Sequence, residues 1–182
     1  VNSTVNSGSI YGVYKPDAAW TIKGLLGYGN YSVSGIRRLI AIGNGNSITG
    51  NTMANGYTGN LQAEYAVPLS NSGAKVPLLF KPQIGVAYGA YQQYGFSEVG
   101  DPTMNLNLAG HTSQSLVGTV GAEVAAAIPL NSKKSQVLKP RLAVAYQVDA
   151  LANSNNNTSL DASLPSAGVS FTSTGQSRGV ND

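Results

Sequence analysis

Leu78-Leu79-Phe80-Lys81-Pro82-Gln83-Ile84-Gly85-Val86-Ala87-Tyr88-Gly89-Ala90 decides the fold. Every second residue, from Leu78 through Phe80, Pro82, Ile84, Val86 and Tyr88 to Ala90, is apolar or small. The interleaved set carries Lys81, Gln83 and two glycines. Side chains of a strand alternate between faces, so the stretch reads as a strand with one apolar side. The same rhythm returns at Leu61–Leu69, Leu116–Ile128, Leu138–Val148 and, with more glycine, Trp20–Tyr28. No position on the apolar parity of these segments is Ser, Thr, Asn, Gln, His, Asp, Glu, Lys or Arg. Length is the second signal. A strand of a soluble sheet runs about 5–6 residues, whereas Leu78–Ala90 and Leu116–Ile128 run thirteen each. At about 3.3 Å per residue that is about 43 Å, or about 30 Å of height at a tilt near 45°, the thickness of a bilayer's hydrocarbon core.

Composition agrees with a membrane-spanning barrel. Charged residues are 10% of the 182, against about 25% in an ordinary soluble domain. Glycine, at 22 residues, is abundant, yet only 42% of the chain is hydrophobic. Strands with an inward polar face dilute their own apolar signal in this way. A Gly/Asn-rich extracellular adhesin repeat has a similar composition, so this feature alone leaves both open. No apolar run approaches the roughly 18 residues of a transmembrane helix. Val1 opens a polar Ser/Asn stretch with no leader pattern, as in a processed or excised chain. Cysteine is absent, which removes disulfides and thiolate metal sites. The net charge of +3 is scattered, with Arg37-Arg38 and Lys133-Lys134 the only basic pairs, too sparse for a nucleic-acid footprint.

Along the chain, Gly8–Lys15 reads as a short strand closed by the turn Lys15-Pro16-Asp17-Ala18. A long strand follows from Ala19 through Ile36–Ile42, with Arg37-Arg38 breaking parity as a bulge would. Gly43-Asn44-Gly45-Asn46 is the strongest hairpin signal, and the return runs from about Ile48 to Leu69. Pro77–Ser97, a strand ending at Leu130, and Val137–Ala150 come next, then a poorly alternating segment from Ser159 to Thr174. The connections 70–75 and 131–136 are short, while the hairpin 34–56 and the loop 98–112 are long. Outer-membrane barrels sort their connections by side in this manner, which predicts the short ones in the periplasm and the long ones outside the cell.

Little in the sequence reads as catalytic. His111, the only histidine, falls in a predicted Gly/Thr/Ser loop without a partner, whereas acid–base chemistry needs a positioned second group. Neither a Gly-x-Ser-x-Gly elbow nor a cysteine nucleophile is present. Gly43-x-Gly45 lacks the third glycine and the helix of a dinucleotide loop. Asp149, Asp161 and Asn153–Asn157 lack the spacing of a calcium loop and read as solvated loops. No catalytic residue, cofactor or metal is predicted.

The parity assigns two faces. Facing a lumen are Lys23, Gln62, Glu64, Lys81, Gln83, Glu123, Lys139, Arg141, Gln147 and Asp149, with Glu64, Lys81, Glu123, Lys139 and Arg141 mid-strand. Facing lipid are Trp20, Tyr65, Ile84, Val86, Tyr88, Val120, Val144 and Tyr146, with the aromatics suited to interfacial girdles. The inward charges read either as structural pairs or as contacts to a polypeptide in the pore.

Several stretches together resemble the translocator β-domain of Gram-negative autotransporters, the type V secretion family. They are Gly12-Val13-Tyr14, Trp20–Gly29, Arg37-Arg38, Leu61–Tyr65, Pro82–Tyr91, Gly95-Phe96-Ser97-Glu98, Gly121–Glu123, Pro140-Arg141-Leu142 and Phe171–Gly175. The order and spacing match over nearly the whole chain. The resemblance implies an all-β, antiparallel, up-and-down transmembrane barrel of twelve strands. It also implies an outer-membrane, cell-surface location, and the export and anchoring of a passenger segment without chemistry of its own. The implied partners are outer-membrane lipid, the passenger and the outer-membrane assembly machinery, with no nucleic acid. Residues 1–182 then form one domain corresponding to about seven middle strands. A linker helix and first strands would precede Val1, and the last strands would follow Asp182. The competing readings are a general porin or ligand-binding barrel, a soluble β-sandwich adhesin module, and an esterase-bearing autotransporter whose passenger lies elsewhere.

Overall fold

A computed structural model describes residues 2–38, 47–71, 73–130, 136–152 and 159–174. Six long strands form one antiparallel sheet: β1 (Asn2–Tyr14), β2 (Trp20–Arg38), β3 (Ser47–Tyr65), β5 (Leu78–Gln93), β8 (His111–Ala126) and β11 (Arg141–Asp149). They follow one another across the sheet in chain order, the up-and-down arrangement expected. The two-residue strand β4 (Val67–Pro68) continues β3 along β5. A second pair, β9 (Ile128–Pro129) and β10 (Val137–Leu138), closes the β8–β11 connection.

Local chemistry sets the short connections. Asp17 accepts the backbone N–H groups of Ala19 and Trp20 at 2.8 and 2.7 Å, an Asx-type turn. Gly73 turns at φ 97° between β4 and β5, and Ser70 Oγ accepts the Leu78 N–H at 3.0 Å.

At the other end a four-stranded sheet runs β6 (Phe96–Ser97), β7 (Asn107–Leu108), β12 (Ser159–Leu164) and β13 (Val169–Thr174). It is the same wall carried further. The pair Gln93↔His111 resumes in register as Phe96↔Leu108 after two unpaired residues on each strand. Tyr94 N–H donates to Met53 O at 2.9 Å, and Thr49 and Val99 exchange both backbone hydrogen bonds at 2.8 and 2.9 Å. β12 therefore flanks β7 as β11 flanks β8, and β13 lies beside it.

Several boundaries differ from the sequence reading. β1 begins at Asn2 rather than Gly8, because both faces of its first half are polar and show no alternation. β2 pairs with β3 residue for residue out to Arg38↔Ser47, so Arg37-Arg38 make no bulge. Pro77–Ser97 breaks at Tyr94-Gly95, where a Cβ on Gly95 would stand 2.9 Å from Leu108 O. β8 stops at Ala126, Val137–Ala150 divides into β10 and β11, and Ser159–Thr174 is a hairpin with a single 3-10 turn at Pro165–Ala167. The Gly43–Asn46 hairpin and the Asn153–Thr158 loop lie outside the described residues.

The sheet is one layer thick. Among the described residues the buried apolar side chains are Ile48, Ala54, Ala152 and Ala162, all toward the long-hairpin end. Large aliphatic side chains stay uncovered through the body of the sheet, including Leu26 at 66%, Ile84 at 65% and Val144 at 74% exposure. A two-sheet sandwich would bury this face against its partner. Covering each such side chain is worth about 1.5–3 kcal/mol, so the face needs an apolar neighbour.

Candidate functional site: a polar face with a charged tier

Directly opposed residues of an antiparallel pair share a face. The pairings Lys23↔Gln62, Glu64↔Gln83, Lys81↔Glu123, Thr119↔Gln147, Ala125↔Arg141 and Val117↔Asp149 therefore gather nine of the ten polar candidates on one side. Lys139 lies in the link between β10 and β11, exposed and outside any pairing. The opposite side carries Trp20↔Tyr65, the row Ile22↔Ala63↔Ile84↔Val120↔Tyr146, and Val86, Tyr88 and Val144. Glu123 and Val120 thus point to opposite sides of β8.

On the polar side an ion-paired tier crosses five strands. Lys23 Nζ is 2.6 Å from Glu64 Oε1, and Lys81 Nζ is 3.1 Å from Glu123 Oε1, which Arg141 Nε approaches at 4.0 Å. Gln62 Nε2 donates to both Glu64 Oε1 (3.2 Å) and Gln83 Oε1 (2.9 Å). These charges are not mid-strand. Glu64 is the penultimate residue of β3, and Arg141 is the first of β11. The strands run further toward the long hairpins than alternation shows, which leaves the charges near the short connections.

The tier descends steadily. Gly85 is level with Lys23 and Gln62. Glu64 sits one two-residue step nearer the short connections, Lys81 and Glu123 one more, and Arg141 one more. The aromatics of the apolar side follow the same slope. Tyr28 and Tyr57 are level, with rings 5.3 Å apart; Tyr88 lies one step lower and Tyr146 two further. Three steps over four strand spacings, at about 3.3 Å per residue and about 4.8 Å per strand, is an angle of about 45°. Strands of membrane barrels tilt by about 35–45°, so both lines trace a constant height across tilted strands. A lower aromatic line runs through Tyr14, the Trp20–Tyr65 pair (4.9 Å) and Phe80. Trp20 and Tyr28, Tyr65 and Tyr57, Phe80 and Tyr88 are each eight residues apart. That is about 26 Å of strand and about 19 Å of height, just inside an apolar band about 25 Å tall. Above the upper line the apolar side turns polar. Tyr28 Oη and Asn30 Nδ2 both donate to Asn55 Oδ1 at 3.0 Å, and Asn55 Nδ2 donates to Tyr94 Oη at 2.8 Å.

Further from the short connections, the polar side holds a groove of about 560 Å³ floored by small residues such as Ser9, Gly27, Thr58, Gly89 and Ser115. The Tyr31 ring lies down over it. A Cβ on Gly56 would stand 3.0 Å from Tyr31 Cε2, and one on Gly29 3.1 Å from its Oη. Tyr91 meets Tyr31 edge-on at 5.6 Å. The sequence reading missed this groove, although Gly27, Gly29, Gly56 and Gly89 on one parity signalled it.

The remaining candidates are spread out. His111 starts β8 opposite Gln93, half-buried on the polar side, rather than sitting in a loop. Asp149 ends β11, accepting Ser115 Oγ (2.8 Å) and the N–H groups of Leu116 (3.0 Å) and Leu151 (2.9 Å). Asp161 accepts Thr172 Oγ1 at 2.6 Å across the β12–β13 hairpin. Asp149 thus ties β11 to β8, and Asp161 ties β12 to β13.

Comparison with protein families matches residues 1–181 to the Autotransporter beta-domain. The chain belongs to the autotransporter β-domain family. As such a domain it is an outer-membrane translocator in general character, associated with a passenger segment and with the Gram-negative outer membrane. The antiparallel, all-β architecture of this autotransporter β-domain agrees, its described sheet being open at β1 and β11. Comparisons with curated proteins and with solved structures return no match.

Proposed function

We propose that this β-domain surrounds a hydrated passage with its polar face, exports a passenger from the same polypeptide through it, and holds that passenger at the cell surface without catalysis of its own. Lys23, Gln62, Glu64, Lys81, Gln83, Glu123, Arg141, Gln147 and Asp149 face the passage, while Lys139, outside any pairing, lies at the short-connection edge of the wall rather than in the passage. Trp20, Tyr65, Ile84, Val86, Tyr88, Val120, Val144 and Tyr146 face lipid, and the assembly machinery of the outer membrane inserts the barrel. The observation that carries this reading is the pair of parallel aromatic lines on one side, matched in slope by the ion-paired tier on the other. A polypeptide passing this tier meets paired charges of both signs and amides, which offer hydrogen bonds with one cation in excess.

Ile84 lies four residues from both Phe80 and Tyr88, at the height of the bilayer midplane. A cationic side chain on the lipid side there costs about 2–4 kcal/mol. In the full-length protein, Ile84→Arg lowers the amount of folded barrel and of surface-exposed passenger severely, while Gln83→Arg leaves both near native. Equal tolerance of the two, read by heat-modifiable mobility and surface labelling, refutes the assignment of faces.

A further inference from the structure

All the lysines among the described residues lie at the short-connection end: Lys15, Lys23, Lys75, Lys81 and Lys139. Lys23 and Lys81 are in the tier's ion pairs. Lys15, Lys75 and Lys139 are exposed, and none is ion-paired with a described residue. Each comes from a different connection: β1 to β2, β4 to β5, and β10 to β11. Asp17, two residues from Lys15, has its Oδ1 engaged by the N–H groups of its own turn. At the opposite end the described carboxylates Glu98, Asp101, Asp149 and Asp161 gather instead.

The three free amines also sit at a particular height. Lys15 follows Tyr14 of the lower aromatic line, Lys75 precedes exposed Val76, and Lys139 follows exposed Leu138. A long cationic side chain next to an outward apolar surface lays its methylenes along that surface and lifts its charge to the headgroup layer.

We propose that Lys15, Lys75 and Lys139 form a rim that selects anionic phospholipid headgroups in the leaflet at the short-connection end. The rim lies level with the edge of the apolar band, where phosphates are the available counter-charge; an acidic protein would need a surface projecting beyond it. The inference rests on the bilayer-spanning reading above. Its consequence is a protein whose immediate lipid neighbours on that side differ from the bulk leaflet.

Trp20, the only tryptophan of this chain, stands in the same aromatic line and reports those neighbours. The full-length protein is reconstituted in phosphatidylcholine vesicles containing phosphatidylglycerol, with brominated chains on one lipid or the other. Quenching of Trp20 is taken as the difference between native and Trp20→Phe protein. At low salt, brominated phosphatidylglycerol quenches about two-fold more than brominated phosphatidylcholine at equal mole fraction. The ratio falls toward unity at 0.5 M salt, where charges on this scale are screened. It also falls toward unity in Lys15→Gln/Lys75→Gln/Lys139→Gln protein. Equal quenching by both lipids in the native protein overturns the proposal and leaves the membrane reading intact. No quenching by either lipid overturns the membrane reading itself. A triple variant that keeps the native ratio but loses assembly in cells assigns the lysines to an acidic protein partner and overturns the lipid.

Discussion

Glu123 holds two cations at once, with Lys81 at 3.1 Å and Arg141 at 4.0 Å. Its carboxylate is about a quarter exposed, so the pairs are partly hydrated, and pairs of this kind contribute about 0–1 kcal/mol each. Removing the carboxylate therefore costs the wall little, but it leaves adjacent positive charges on the polar side, facing the proposed passage. Glu123→Ala is expected to fold and insert like the native protein while shifting single-channel conductance toward anions or slowing passenger release. Swapping the pair, as Lys81→Glu with Glu123→Lys, restores the native behaviour in part, because the tier keeps its net charge while Arg141 loses its carboxylate. Loss of folding in Glu123→Ala with no conductance change in refolded material makes the residue a structural brace instead.

At the scale of elements, the contact between β2 and β3 at Tyr31 joins the floor of the groove to its aromatic cover. A side chain at Gly56 meets the Tyr31 ring at 3.0 Å, so Gly56→Val pushes the ring off the floor and breaks its edge contact with Tyr91. Aromatic pairs of this geometry contribute about 0.5–1.5 kcal/mol. The urea midpoint of the refolded full-length protein should drop in Gly56→Val, and Tyr31→Ala in the same protein should recover part of the loss. Strict additivity of the two changes rules out a working contact. The lower half of each strand was legible in the sequence because one face there avoids water and the other does not, and only alternation satisfies both. Asn2–Ser7 of β1 was not legible in the same way, because its residues are polar on both faces apart from Val5, so period two vanishes while backbone pairing continues. Ser47–Asn55 of β3 was placed by the hairpin before it rather than by alternation. The two ends of Lys23–Glu64 are 41 residues apart, and only the register of β2 on β3 brings them together. Parity gave their side but not their height.

For the whole molecule, the predicted topology turns on which end of the sheet is outside. The chain from Glu98 to Leu106 tips the β5–β8 hairpin at one end, and the connection between β9 and β10 lies at the other. An epitope tag after Thr103 is expected to bind antibody on intact cells, and a tag after Ser132 only after the outer membrane is permeabilised. The reverse pattern inverts the barrel and moves the lysine rim to the outer leaflet. The height of the wall carries one more consequence. The β2–β3 ladder continues ten residues past Tyr28 to Arg38, about 33 Å of strand and about 23 Å of height at the tilt found here. On the proposed orientation the passage opens at the top of a chimney rather than flush with the membrane. A passenger held there, as proposed, starts about 23 Å above the upper aromatic line, and its reach from the membrane is set partly by this domain.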